Sequence, residues 1–161
     1  MAMRVITNFV VFAFLIALSS CKEHDIPLPP ISSTGAHTFG CLVNGKVFSV
    51  QGVYGETRRD GTPDMVVIYA SRGRVAFQLK VRDVDNPIVA DKKYFLSADQ
   101  NDISCSYANL NDSNCDYFDI PTSGYIMFTK VHPVYSGVFE FTVYSNYCKM
   151  LVSVTEGRFD L

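Results

Sequence analysis

The chain has no tryptophan, only three histidines and no run of five basic residues. Without tryptophan it lacks the strongest stacking platform for a sugar ring. The histidines are His24, His37 and His132, and none stands near a serine or cysteine in a nucleophile motif. G-x-S-x-G, H-E-x-x-H and Gly-rich phosphate loops are missing too, so the chain shows no catalytic motif. Paired acids such as Asp83 with Asp85, or Asp99 with Asp102, read as solvated turns. A formal charge of −2 with scattered Lys and Arg argues against nucleic-acid binding. No cofactor is implied, and an enzyme is the least supported class. Long apolar runs are scarce as well. The one continuous stretch, Phe9 to Leu18, has ten residues, whereas a membrane-spanning helix needs roughly 20. Beyond it no segment sustains a helical period, so helices are not expected.

The leader itself is informative. Arg4 precedes the apolar run, and Leu18-Ser19-Ser20-Cys21 follows it. This order resembles the lipobox of bacterial lipoproteins. The small residues fit a narrow peptidase cleft, the Cys21 thiol takes a diacylglyceryl group, and the new α-amine is acylated. Two or more acyl chains hold firmly where one holds marginally. The expected organisation is a signal peptide over 1–20, a lipidated start and linker over 21–37, and a β domain over 38–161. Loss of Arg4 with the leader moves the formal charge from −2 to −3.

Residues 22–37 carry three prolines, two serines and a glycine, which oppose regular structure. As a flexible spacer these sixteen residues would extend at about 3.1 Å each, roughly 50 Å in all. Lys22-Glu23-His24-Asp25 resembles the acidic stretch that directs some Bacteroidota lipoproteins to the outer face of the outer membrane. An ordinary solvated leader fits the same residues.

Removing Cys21 leaves Cys41, Cys105, Cys115 and Cys148. An even number in a small exported domain reads as two disulfides with three possible pairings. The preferred pairing is Cys105–Cys115 closing a polar loop and Cys41–Cys148 joining the first strand to the last hairpin. Neither a C-x2-C nor an H-x3-H pair is present, so the spacing disfavours zinc.

From Thr38 onward apolar and polar residues alternate with a period of two. Thr38–Val43 and Lys46–Val50 flank Asn44-Gly45, a strong hairpin signal. Met65–Ala70, Val75–Val81, Tyr94–Ser97, Gly124–Lys130, Gly137–Tyr144 and Lys149–Thr155 read as further strands. Gly52 to Asp64 and residues 98–121 read as loops. The fold expected is all-β and antiparallel, with about eight strands in a sandwich or partly open barrel.

Phe39-Gly40-Cys41-Leu42-Val43-Asn44-Gly45-Lys46-Val47-Phe48 resembles the opening hairpin of a group of uncharacterised Bacteroidota lipoproteins. The closing Gly137-Val138-Phe139-Glu140-Phe141-Thr142 and Thr155-Glu156-Gly157-Arg158-Phe159-Asp160 resemble their GxFxFT and T(E/D)GRFD segments. The resemblance implies a lipid-anchored envelope β domain and supplies no catalytic residues. Read physically, the tail bends at Gly157, seats Phe159 in the core and pairs Arg158 with Asp160.

Two candidate sites remain. Tyr107, Tyr117 and Phe118 lie in or beside the polar loop and offer faces for a sugar or protein. Asp112, Asn114 and Asp116 place oxygens at alternate positions, like the start of a calcium loop. Tyr117 and Ser123 stand where such a loop needs Gly and Glu, so no metal is expected. The function expected is non-enzymatic: an envelope lipoprotein, held to the membrane by its lipid, that binds a macromolecule or glycan through loops. The alternative is a structural accessory subunit of an outer-membrane complex.

Overall fold

Alternation carries the chain into strands from Thr38 to the end. The computed structural model describes residues 27–58, 65–83, 86–99 and 102–161. The leader, Cys21 and the acidic stretch after it lie outside those residues. The described residues form eleven strands, in order: β1 Thr38–Val43, β2 Lys46–Gln51, β3 Tyr54–Arg58, β4 Met65–Arg72, β5 Val75–Arg82 and β6 Lys93–Phe95. Then come β7 Ile103–Asn109, β8 Tyr117–Phe118, β9 Ile120–Lys130, β10 Ser136–Ser145 and β11 Met150–Asp160. Among the described residues there is no helix. All ladders are antiparallel and form two sheets, ordered β2-β1-β11-β10-β9-β6 and β3-β4-β5-β7-β8. The sheets stack as a β-sandwich and do not close into a barrel.

Three strands run where loops were expected. β3 is a polar edge strand bonded on one side only, to β4; such an edge carries no apolar alternation to read. β7 alternates Ile103, Cys105 and Tyr107 with Ser104, Ser106 and Ala108. Its inward set includes Cys105, the cysteine expected to close a loop. β8, two residues long, continues the same sheet beside β7.

The core is aromatic. Phe39 lies 5.0 Å from Phe139 and 5.3 Å from Phe77, ring centroid to centroid, which joins the two sheets. Phe159 packs edge-on to Phe128 at 5.6 Å and stacks near Phe139 at 6.4 Å. Burying rings of this size supplies most of the driving force for folding. The bend expected at Gly157 falls on Glu156, whose φ is 51°. Gly157 instead permits close packing, since a Cβ there would overlap the Phe139 ring and its carbonyl oxygen.

The disulfide pairing departs from expectation. Cys115 joins Cys148, tying the β7–β8 loop to the β10–β11 turn. Cys41 and Cys105 are free thiols buried in the core. Each sits at an inward position of its strand, where a small apolar residue packs well. Burial pushes the Cys41 thiol up to about 12 and raises that of Cys105 as well. Both therefore stay protonated and unreactive at neutral pH. N-ethylmaleimide should leave the Cys41 and Cys105 peptides unlabelled in the folded protein and label both after non-reducing denaturation. Peptide mass mapping reads this; labelling before denaturation would contradict the burial.

The linker also differs. Residues 27–37 lack regular structure, as their prolines require, yet they are not a free spacer. They cross the outer face of the six-stranded sheet as a strap. Asp160, outward-facing on β11 and only 1% exposed, holds it. Its carboxylate accepts from Ser32 Oγ at 2.6 Å, Thr34 N at 3.0 Å, Thr34 Oγ1 at 3.3 Å, Gly35 N at 2.8 Å and Ser136 Oγ at 2.8 Å. Burial alone would raise this carboxyl. The donated hydrogen bonds outweigh it and hold the group well below the usual carboxylate range. Lys130 Nζ donates to Ser33 O at 2.9 Å and Arg158 Nη1 to Pro29 O at 3.3 Å, while Pro29 lies against Gly40. The expected Arg158–Asp160 pair does not form: Arg158 reaches Glu156 at 3.4 Å. Both side chains meet the strap, and the strap supplies Asp160 with better partners than a flexible guanidinium.

Candidate functional site

The strap covers one end of the outer face of the six-stranded sheet. Below it, toward the β10–β11 turn, the same face opens into a trough of about 470 Å³. Strand registers place its walls. Phe95 on β6 lies opposite Tyr125 on β9, and Tyr125 lies opposite Glu140 on β10. Lys93, two residues before Phe95 on the same face, sets its Nζ 3.8 Å from the Tyr125 ring centroid. This cation–π contact fixes the tyrosine and occupies one of its faces. Phe95 is left 63% exposed. Across the trough stand four hydroxyls, those of Ser123, Thr142, Ser153 and Thr155.

The floor is backbone. Phe141 and Val154 line the trough, but their side chains are buried in the core. Gly124 completes it with a φ of 130°. A Cβ at Gly124 would strike the Glu140 carbonyl and Phe141, so only glycine lets β9 approach β10 this closely. The β9–β10 register shifts just beyond, between Thr142 and Val143. The result is a concave, amphipathic surface with one ammonium, one carboxylate, a row of hydroxyls and a bare aromatic ring. Such a surface stacks an apolar face and hydrogen-bonds a polar rim.

The candidate residues read from sequence fall elsewhere. Tyr107 and Phe118 do not line a ligand loop: both are buried, with rings 5.8 Å apart, and the Tyr107 ring also packs tilted against Phe77 at 5.0 Å. Only Tyr117 of that trio is exposed, because it occupies the outward position of β8 while Phe118 points in. Asp112, Asn114 and Asp116 belong to a self-contained turn. Asp112 Oδ1 accepts from Asn114 N at 3.0 Å, and Asp116 O accepts from Asn109 N at 2.8 Å. Among the described residues no three metal-ligating side chains gather. Cys115 and Cys148 meet as partners, whereas Cys41 and Cys105 are not bonded.

The trough residues were missed for a definable reason. Alternation puts Lys93 and Phe95 outward beside buried Tyr94, and Tyr125 outward beside buried Ile126. A phenylalanine on a polar face was the available signal. The pairing of β6 with β9 that unites them joins residues about thirty positions apart, and no local pattern encodes it.

No family model, curated protein or solved structure matches the chain.

Proposed function

We propose that this chain is a non-enzymatic, lipid-anchored protein of the cell envelope that holds a glycan in the trough on its six-stranded sheet. The observation that carries the ligand class is the bare Phe95 ring beside a clamped tyrosine, facing a row of hydroxyls. A sugar ring matches this pairing, since its C–H face stacks on an aromatic and its hydroxyls bond to serine and threonine. The ligand surface is thus the face of a sheet and not the loops. The leader, its resemblance to a lipobox and the acidic stretch after Cys21 support an outer-membrane address.

A glycan array probed with the mature chain carrying Cys21→Ser tests the reading. Binding to at least one oligosaccharide class is expected, weakened about tenfold, or about 1.4 kcal/mol, by Phe95→Ala. Silence across the array, or binding indifferent to Phe95→Ala, would remove the ligand from the trough. A lasting complex pulled from detergent-solubilised envelope, together with that silence, would make the chain an accessory subunit.

A further inference from the structure

Among the described residues, six of the ten large apolar side chains left exposed gather at one end; Ile31, Tyr69, Val89 and Phe95 lie elsewhere. Val47, Leu110, Tyr117, Tyr147, Met150 and Leu151 are all exposed, Tyr147 at 85%. All six stand on or beside connections at the end away from Asp160. Those connections form one rim. Asn44 N donates to Ser153 O at 2.8 Å and Ser153 N donates to Asn44 Oδ1 at 2.9 Å, stitching the β1–β2 turn to β11. The Cys115–Cys148 bridge ties the β10–β11 turn to the β7–β8 loop, and Leu110 N donates to Arg74 O at 2.8 Å from the β4–β5 turn.

The strap heads toward this rim. From Ser32 to Pro29 it moves from beside Asp160 to beside Gly40 and Arg158, two residues nearer the rim along β11. From Gly40 the β1–β2 turn begins about 14 Å further on, at about 3.4 Å per residue. Cys21 precedes Pro27 by six residues, a span of at most about 20 Å. Six residues are thus long enough for acyl chains on Cys21 to come level with the rim.

We propose that this rim rests on the bilayer as a second, shallow contact beside the lipid anchor. The inference rests on the lipid-anchored reading above. Tyr117 and Tyr147 suit it, because an apolar ring with a polar tip partitions to the headgroup level. A short tether confines the domain near the surface, so even weak apolar contacts are populated. The trough then opens sideways along the sheet face, beside the rim.

The natural lack of tryptophan makes the test clean. Tyr147→Trp places a sole indole on the rim; Val89→Trp places one at the opposite end, where Asp91 N bonds Phe128 O. Each full-length acylated variant is reconstituted into phosphatidylcholine vesicles with or without brominated acyl chains. Brominated lipid should quench the Tyr147→Trp emission at least about twofold and leave Val89→Trp unchanged. Protein that floats with the vesicles but shows equal, weak quenching at both positions would overturn the contact and leave the anchor standing. Protein that does not float, with an unacylated Cys21 peptide by mass spectrometry, would overturn the anchor and the contact with it.

Discussion

Asp160→Ala is expected to destabilise the domain by about 2–3 kcal/mol, the range for losing hydrogen bonds to a charged acceptor and leaving neutral donors unpaired. Four donor groups of the strap and Ser136 Oγ lose their acceptor together. The cost is limited because the strap can lift off and let water satisfy its backbone. Two measurements follow: chemical denaturation, and limited proteolysis, which should cut within residues 27–37 of the variant while sparing the parent.

The same carboxylate makes stability depend on acid. Its folded pKa is depressed below the ordinary 3.8, so the folded state binds fewer protons than the unfolded chain. Its contribution is complete above about pH 4 and is lost as pH falls from there toward the folded value. Asp160→Asn should flatten that acid limb while being less stable at pH 7. An unchanged slope below pH 4 would assign the acid sensitivity to other groups.

The second large effect is at its neighbour. Phe159→Ala should cost about 3–5 kcal/mol, as for other buried aromatic truncations. The ring is 2% exposed and lies between Phe128 and Phe139, a site that β9 and β10 cannot collapse to fill. The readout is the midpoint of urea unfolding; a shift under about 1 kcal/mol would mean that the pocket repacks. Phe159→Leu should recover more than half of the loss, since a branched apolar group restores much of the volume.

These two adjacent residues also show what a sequence discloses. That Phe159 enters the core is legible from its place after an alternating strand and two residues beyond a glycine. The role of Asp160 is not, because its strap donors lie 125 to 128 positions away. For the same reason the proline-rich stretch read as a free spacer: nothing local marks Ser32 or Thr34 as bonded to the final strand. Asn44-Gly45 announced the β1–β2 hairpin because turn chemistry is local, with both residues at positive φ. Cys105 misled because one residue type serves two ends, a covalent bridge or a small core filler, and only three-dimensional proximity decides between them. The trough is the extreme case, built from four strands whose adjacency arises only when the sheet assembles.

That assembly has a directional consequence. β11 lies between β1 and β10, so a chain stopped before Met150 leaves the six-stranded sheet in two pieces, β2-β1 and β10-β9-β6. Neither piece buries its aromatic face or satisfies the bare flanks of β1 and β10. A polypeptide whose carboxyl end is still to emerge therefore cannot complete this sheet. Truncated products present open strand edges, at which aggregation and proteolysis begin.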